Sequence, residues 1–180
     1  MLRTRDAGNV GFRPVPWALL LKTTAINLIV LWGLMALFEP WSHIYRTLIR
    51  ETLANPHPDT TFAWLVRFEG APAWTGLFLY SGLVTLFGEE LFFRGWLQQQ
   101  LERRLARPWA IALQAALFSI PQLLVTLLFP PLQSVLWIVV YSWLAIGVVG
   151  GWSASRTRSI WPSLIAATLT NFLLTWLSVH

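Results

Sequence analysis

Cysteine is absent from the 180 residues, charge is scarce at 12% of the chain, and histidine occurs only as His43, His57 and His180. Without cysteine there is no disulfide, no thiolate metal site and no cysteine nucleophile. A soluble domain carries roughly 25% charged residues, so this chain has too little polar surface to cover a water-soluble globule. Lysine is nearly missing as well: Lys22 stands alone beside twelve arginines, and with eight acids the net charge is +5. A basic excess can serve nucleic acid. Here the arginines sit between apolar runs instead of along one solvated face, so no nucleic-acid partner is expected.

What is plentiful points to a membrane. The chain is 56% hydrophobic, its mean hydropathy is +0.56, and it holds twelve tryptophans, rings that favour the membrane–water boundary. A membrane-crossing helix needs about 20 mostly apolar residues. Five segments qualify: 17–38, 73–97, 108–129, 132–152 and 160–179. The first is too long for a signal-peptide core, and no small-residue cleavage site follows it, so it is expected to be retained. In the long connection 39–72, Trp41, Ile44, Tyr45, Leu48 and Ile49 recur at helical spacing opposite Ser42, Arg46, Arg50 and Glu51. That pattern predicts an amphipathic helix lying in the interface, broken by the Pro-rich run 55–59. The expected fold is all-α: a polytopic transmembrane helical bundle of about five spans plus one interfacial helix. No internal repeat or low-complexity stretch divides it, so residues 1–180 are expected to form a single integral membrane domain in contact with membrane lipids.

Arginine placement orients the bundle. Arg3, Arg5 and Arg13 precede the first span, Arg103, Arg104 and Arg107 join the second to the third, and Arg156 and Arg158 join the fourth to the fifth. With five spans these segments share a side, which the positive-inside rule makes cytoplasmic, leaving the C-terminus outside. Gly147 and Gly151 form a small-xxx-small pair that predicts close approach of a neighbouring helix. Lys22 and Asn27 read as snorkelling and packing residues, and Trp17, Trp41, Trp74, Trp96, Trp109, Trp152 and Trp161 as interface anchors.

The second span carries the chemistry, in Gly88-Glu89-Glu90-Leu91-Phe92-Phe93-Arg94-Gly95. Each ionised side chain at the centre of a membrane helix costs on the order of 2.5–3.5 kcal/mol, so something must compensate. Glu90 and Arg94 are four apart, in the favourable order for a helical ion pair. Glu89, about 100° further round the helix, is left without its own cation. Apolar surroundings disfavour its charged form, which suits a proton acceptor. The plainer alternative is a buried ion pair that only pins helix packing. Metal hydrolysis is disfavoured, because the three histidines lie outside the apolar spans and cannot meet Glu89 there. No metal and no cofactor are expected.

Glu89-Glu90-x-x-x-Arg94-Gly95, followed by Leu97-x-x-x-Leu101-x-Arg103, resembles the first motif of the CPBP family. That family holds CAAX proteases, bacteriocin-processing and immunity proteins, and related glutamic-type intramembrane proteases. Ala115-Ala116-Leu117-Phe118-x-x-x-Gln122 resembles its second motif, and the run from Arg156 through Pro162, Ser163 and Ala166 to Asn171 resembles its third. The likeness covers about residues 75–172. It implies a bacterial or archaeal cytoplasmic-membrane endopeptidase acting on a membrane-associated peptide or protein substrate. The carried-over site is Glu89, Glu90, Arg94 and Asn171, with Gln122 standing where the family has a histidine.

Two departures bear on mechanism. Gln122 replaces the histidine of Phe-x-x-x-His, and Ala167 replaces that of His-x-x-x-Asn. Gln122 can donate to an oxyanion or orient a water, but it cannot accept a proton. Pro121 before it removes a helix donor and opens the backbone locally. At ~1.5 Å per residue, Glu89 lies ~12 Å from Leu97, Asn171 ~18 Å from Ser159 and Gln122 ~21 Å from Pro108, depths that can meet if the third span tilts. The sequence thus carries a glutamate-activated endopeptidase as its first reading. The second is a catalytically inactive family member acting as scaffold, immunity or partner-binding protein. The third is a transport component, disfavoured because the other spans lack charged partners to extend a pathway.

Overall fold

The computed structural model describes residues 11–37, 71–126, 135 and 137–179, and every described element is helical. Five long helices follow one another: α1 (Trp17–Leu37); α2, through the consecutive stretches Ala71–Val84, Thr85–Leu97 and Gln98–Glu102; α3 (Arg107–Thr126); α4, through Trp137–Val149 and Gly150–Thr157; and α5 (Trp161–Val179). The protein is an all-α membrane bundle. Among the described residues, three helices are long and apolar enough to cross a membrane, with windows at Trp17–Leu34, Trp74–Glu102 and Ile138–Thr157. α3 and α5 have 20 and 19 residues. The expected interfacial helix at 41–51, the start of the fourth expected span and all three histidines lie outside the described residues.

α2 and α4 share an uncommon backbone. Thr85–Leu97 and Trp137–Val149 are π-helical, wider than an α-helix, and the Gln98 N–H still reaches back five residues to the Phe93 carbonyl. Backbone angles at Val84, Gln98 and Val149 stay helical, so neither helix breaks where the pitch changes. π-Helical turns recur at functional sites. Here the α2 segment holds Glu89, Glu90 and Arg94.

Packing follows from small residues. A Cβ on Gly147 would sit 2.6 Å from the Ala115 Cβ and 2.9 Å from its Cα, so α3 and α4 touch almost backbone to backbone. Ser142 donates to Ser119 (3.0 Å) and Trp143 Nε1 to the Ala112 carbonyl (3.3 Å) along the same seam. The expected close approach at Gly147 is therefore present, and its partner is α3. On the other side Leu31 of α1, Ala145 of α4 and Ala166 of α5 form an apolar core. Buried Asn27 donates to the Thr23 carbonyl (2.7 Å), while Lys22 is exposed. Leu21, Ile29, Phe78, Leu83, Phe87 and Leu113 point outward, as helices solvated by lipid allow.

Two tight turns and the N-terminal segment meet at one end. α4 closes on Arg158 in the left-handed region (φ 53°), with its N–H on the Ala154 carbonyl, and α5 starts three residues later with Pro162 in its first turn. Gly11 (φ 89°) accepts the Ile160 N–H (2.8 Å), Ser159 Oγ donates to the Arg13 carbonyl (2.8 Å), and Phe12 packs edge-on against Trp161. Arg13, Arg103 and Arg158 line one cavity there, so the three arginine-bearing segments share an end of the bundle.

The Gly147–Ala115 contact leaves no room for a methyl, so Gly147→Ala is expected to lower stability by about 1–3 kcal/mol. A methyl on Gly33 would meet nothing within 4 Å, so Gly33→Ala should be neutral or stabilising. Thermal unfolding of both variants in detergent checks the contrast.

Candidate active site

Glu90 is fully buried, and both its oxygens are used. Oε1 accepts Arg94 Nη1 (2.8 Å) within α2, and Oε2 accepts the hydroxyl of Ser163 on α5 (2.6 Å). Arg94, 2% exposed, donates its Nη2 to the Ile146 carbonyl of α4 (2.7 Å) and stands 4.8 Å over the Phe118 ring of α3. One ion pair on α2 therefore touches α3, α4 and α5. A carboxylate and a guanidinium taken out of water are stabilised only when their remaining lone pairs and protons are met, and here most are. The approach depends on Gly150: a Cβ there would lie 3.1–3.4 Å from the guanidinium.

One turn on, Gln98 Nε2 donates to the Gly151 carbonyl (2.8 Å) and to Glu102 (2.9 Å). Gln114 of α3 is fully buried beside Gly151, where a Cβ would meet both the Gln114 and Gln98 carbonyl oxygens. Gly147, Gly150 and Gly151 thus form a groove on α4 that takes Ala115, Arg94 and the two glutamines. Gly150 is the member that small-xxx-small spacing did not reveal.

α5 presents a ladder to α2. Ser163, Ala167 and Asn171 are spaced by four, hence share a face. Ser163 bonds Glu90 and Asn171 Nδ2 donates to Thr85 Oγ1 (3.2 Å), which places position 167 between these rungs, opposite the α2 stretch that holds Glu89. Glu89 is half-buried and makes no hydrogen bond or ion pair among the described residues. The structure therefore brings Glu90 and Arg94 into contact and joins Asn171 to α2 one turn before Glu89. Gln122 is half-buried on α3, one turn beyond Phe118, and bonds none of the other four among the described residues. α3 continues helically through Pro121 to Thr126.

Sequence reasoning missed the contacts that hold the pair: Ser163, the Ile146 carbonyl, Thr85 and the face of Phe118. Ser163 and Phe118 lie inside the quoted motifs, so their positions were a signal. A backbone carbonyl carries none. Among the described residues no three His, Cys, Asp or Glu side chains gather into a metal site.

The two neighbouring carboxylates should answer differently to the same change. Glu90→Gln strips a buried guanidinium of its counter-charge, a loss of roughly 3–5 kcal/mol for a buried pair. Ser163→Ala removes one bond to a charged group, about 1.5–3 kcal/mol. Glu89→Gln should leave stability unchanged or raise it. Thermal unfolding of the three variants in detergent reads the order, and equal loss at Glu89 and Glu90 would mean that Arg94 serves both.

The family model described as type II CAAX prenyl endopeptidase, Rce1-like, matches residues 71–173. Comparison with curated proteins and with solved structures gives no match. The matched stretch opens at the start of α2 and closes within α5, so it contains the Glu90–Arg94 pair and each of its partners. It spans more than half of the chain, and on that ground the chain belongs to the Rce1-like family of type II CAAX prenyl endopeptidases.

Proposed function

We propose that the chain is an intramembrane endopeptidase that uses Glu89 to activate water against a peptide bond of a membrane-associated peptide or protein. The observation that carries this reading is the contrast between adjacent carboxylates. Glu90 is met by Arg94 and Ser163, whereas Glu89 has no partner among the described residues. An unsupported acid in a membrane helix is costly, and functional use is the usual reason for one.

In this mechanism Glu89 takes a proton from water as the water oxygen adds to the substrate carbonyl carbon. The amide N–H groups of Gln122 and Asn171 hold the oxyanion, and Glu89 returns the proton to the amine as the C–N bond breaks. Glu90 and Arg94 hold α2 in position. No metal or cofactor enters. The arginine-lined end of the bundle faces the cytoplasm and the C-terminus the other side, in a bacterial or archaeal cytoplasmic membrane.

A second reading, of an inactive family member that binds a partner, is favoured by Ala167. The α5 ladder carries a methyl where the family pattern has an imidazole, and Gln122 offers amide groups only.

Incubating purified wild type and Glu89→Gln with prenylated and unprenylated membrane peptides, followed by mass spectrometry, separates the two. Cleavage by wild type that vanishes in Glu89→Gln supports the enzyme. If both are silent while Gln122→His/Ala167→His cleaves, the chain is a scaffold that lost its imidazoles. In an active wild type, each lost oxyanion donor (Gln122→Ala or Asn171→Ala) should lower kcat by about 10²–10³-fold.

A further inference from the structure

At the end of the bundle where the N-terminal segment, the α2–α3 turn and the α4–α5 turn meet, there is a cavity of about 270 Å³. Its size is just under the ~300 Å³ at which small-molecule sites begin. Among the described residues, Arg13, Arg94, Arg103 and Arg158 line it against one carboxylate, Glu102, which already accepts Gln98. Two of its lining side chains are almost wholly buried and keep an unmet polar atom. These are Arg94, whose Nε donor has no partner among the described residues, and Gln98, whose Oε1 acceptor has none. The buried Ser155 hydroxyl is in the same condition. The unmet Arg94 and Gln98 atoms lie against Gly150 and Gly151 of α4, so the cavity offers mainly the positive charge and N–H donors of its arginines, which suit an anion. Its depth suits the membrane surface. Trp17, Trp96, Trp109, Trp152 and Trp161, all exposed, lie within the first or last two turns of the five helices at this same end, where interfacial rings belong.

We propose that this cavity binds the phosphate of an anionic lipid headgroup, with Arg103, Arg158 and Arg13 around the phosphate and Arg94 and Ser155 at its inner wall. Arginine meets phosphate oxygens with paired N–H groups, and a bound headgroup would tie the three segments that close this end. Because Arg94 also holds Glu90, an occupied cavity braces the ion pair.

The test uses the full chain, in phosphatidylcholine alone or with phosphatidylglycerol added, reading the melting temperature and the lipid retained in native mass spectrometry. Wild type should retain phosphatidylglycerol and melt higher with it. Arg103→Gln/Arg158→Gly should lose affinity about thirtyfold, at about 1 kcal/mol for each of the two surface arginines. Glycine is at ease in the left-handed conformation of residue 158, so the backbone is not at issue. If that pair still melts low in phosphatidylcholine alone, Arg103→Gln/Ser155→Ala takes its place. Arg104→Gln/Arg107→Gln removes the same charge outside the cavity, and an equal loss there overturns the proposal in favour of a diffuse basic surface. Stabilisation by inorganic phosphate with no retained lipid overturns it as well. So does displacement by a peptide with a free C-terminal carboxylate, but not by its amide, while phosphatidylglycerol has no effect.

Discussion

A buried carboxylate–guanidinium pair is tolerable in a membrane bundle only when its surroundings complete it, and most of this fold can be understood as that completion. Glu90 and Arg94 sit on one helix, but neither is satisfied there. The second carboxylate oxygen takes its bond from α5, the second guanidinium nitrogen gives its bond to an α4 carbonyl, and an α3 ring covers the cation. In water such bonds would be exchanged for hydration at little gain. Away from water an unmet partner costs several kcal/mol, so the pair dictates how the other three helices must stand.

The glycines of α4 are the counterpart of that demand. An arginine can reach a helix carbonyl only where no side chain stands in front of it, and Gly150 provides the opening. Gly147 and Gly151 extend the same groove to Ala115 and to the buried glutamines. The π-helical stretch of α2 that bears the pair reaches the π-helical stretch of α4 through Arg94, whose Nη2 donates to the Ile146 carbonyl one turn before Gly150. Close approach and polar satisfaction are one feature of this structure, since lipid gives no hydrophobic drive for helices to associate.

Glu89 is set apart by the same arrangement. Its neighbour takes the Arg94 cation and the Ser163 hydroxyl, and the acid before it in sequence is left without a partner among the described residues. On that ladder Ser163 and Asn171 are engaged with α2, and Ala167 between them leaves a small residue at the level where a larger side chain would meet α2. The polar residues of α5 therefore serve the scaffold, whatever further use the site makes of them.

Much of this was legible in the residues alone. Long apolar runs with few charges allow only helices in a bilayer, because every backbone N–H and C=O must be met within its own segment, so the fold class was legible, and where the helix ends are described they lie within about five residues of those expected. The i, i+4 pairing of Glu90 with Arg94 followed from helical spacing, and Gly147 from its place in a small-residue pattern. Local rules stop at the edge of a helix. That Arg94 donates to Ile146, that Ser163 rather than a basic residue completes Glu90, and that Arg13, Arg103 and Arg158 share a cavity depend on residues some 50 to 150 positions apart in the chain. A backbone carbonyl has no letter in the sequence, and a serine has the same letter whether it faces lipid or a carboxylate. Only the packing of α2 between its neighbours decided which of these groups would meet.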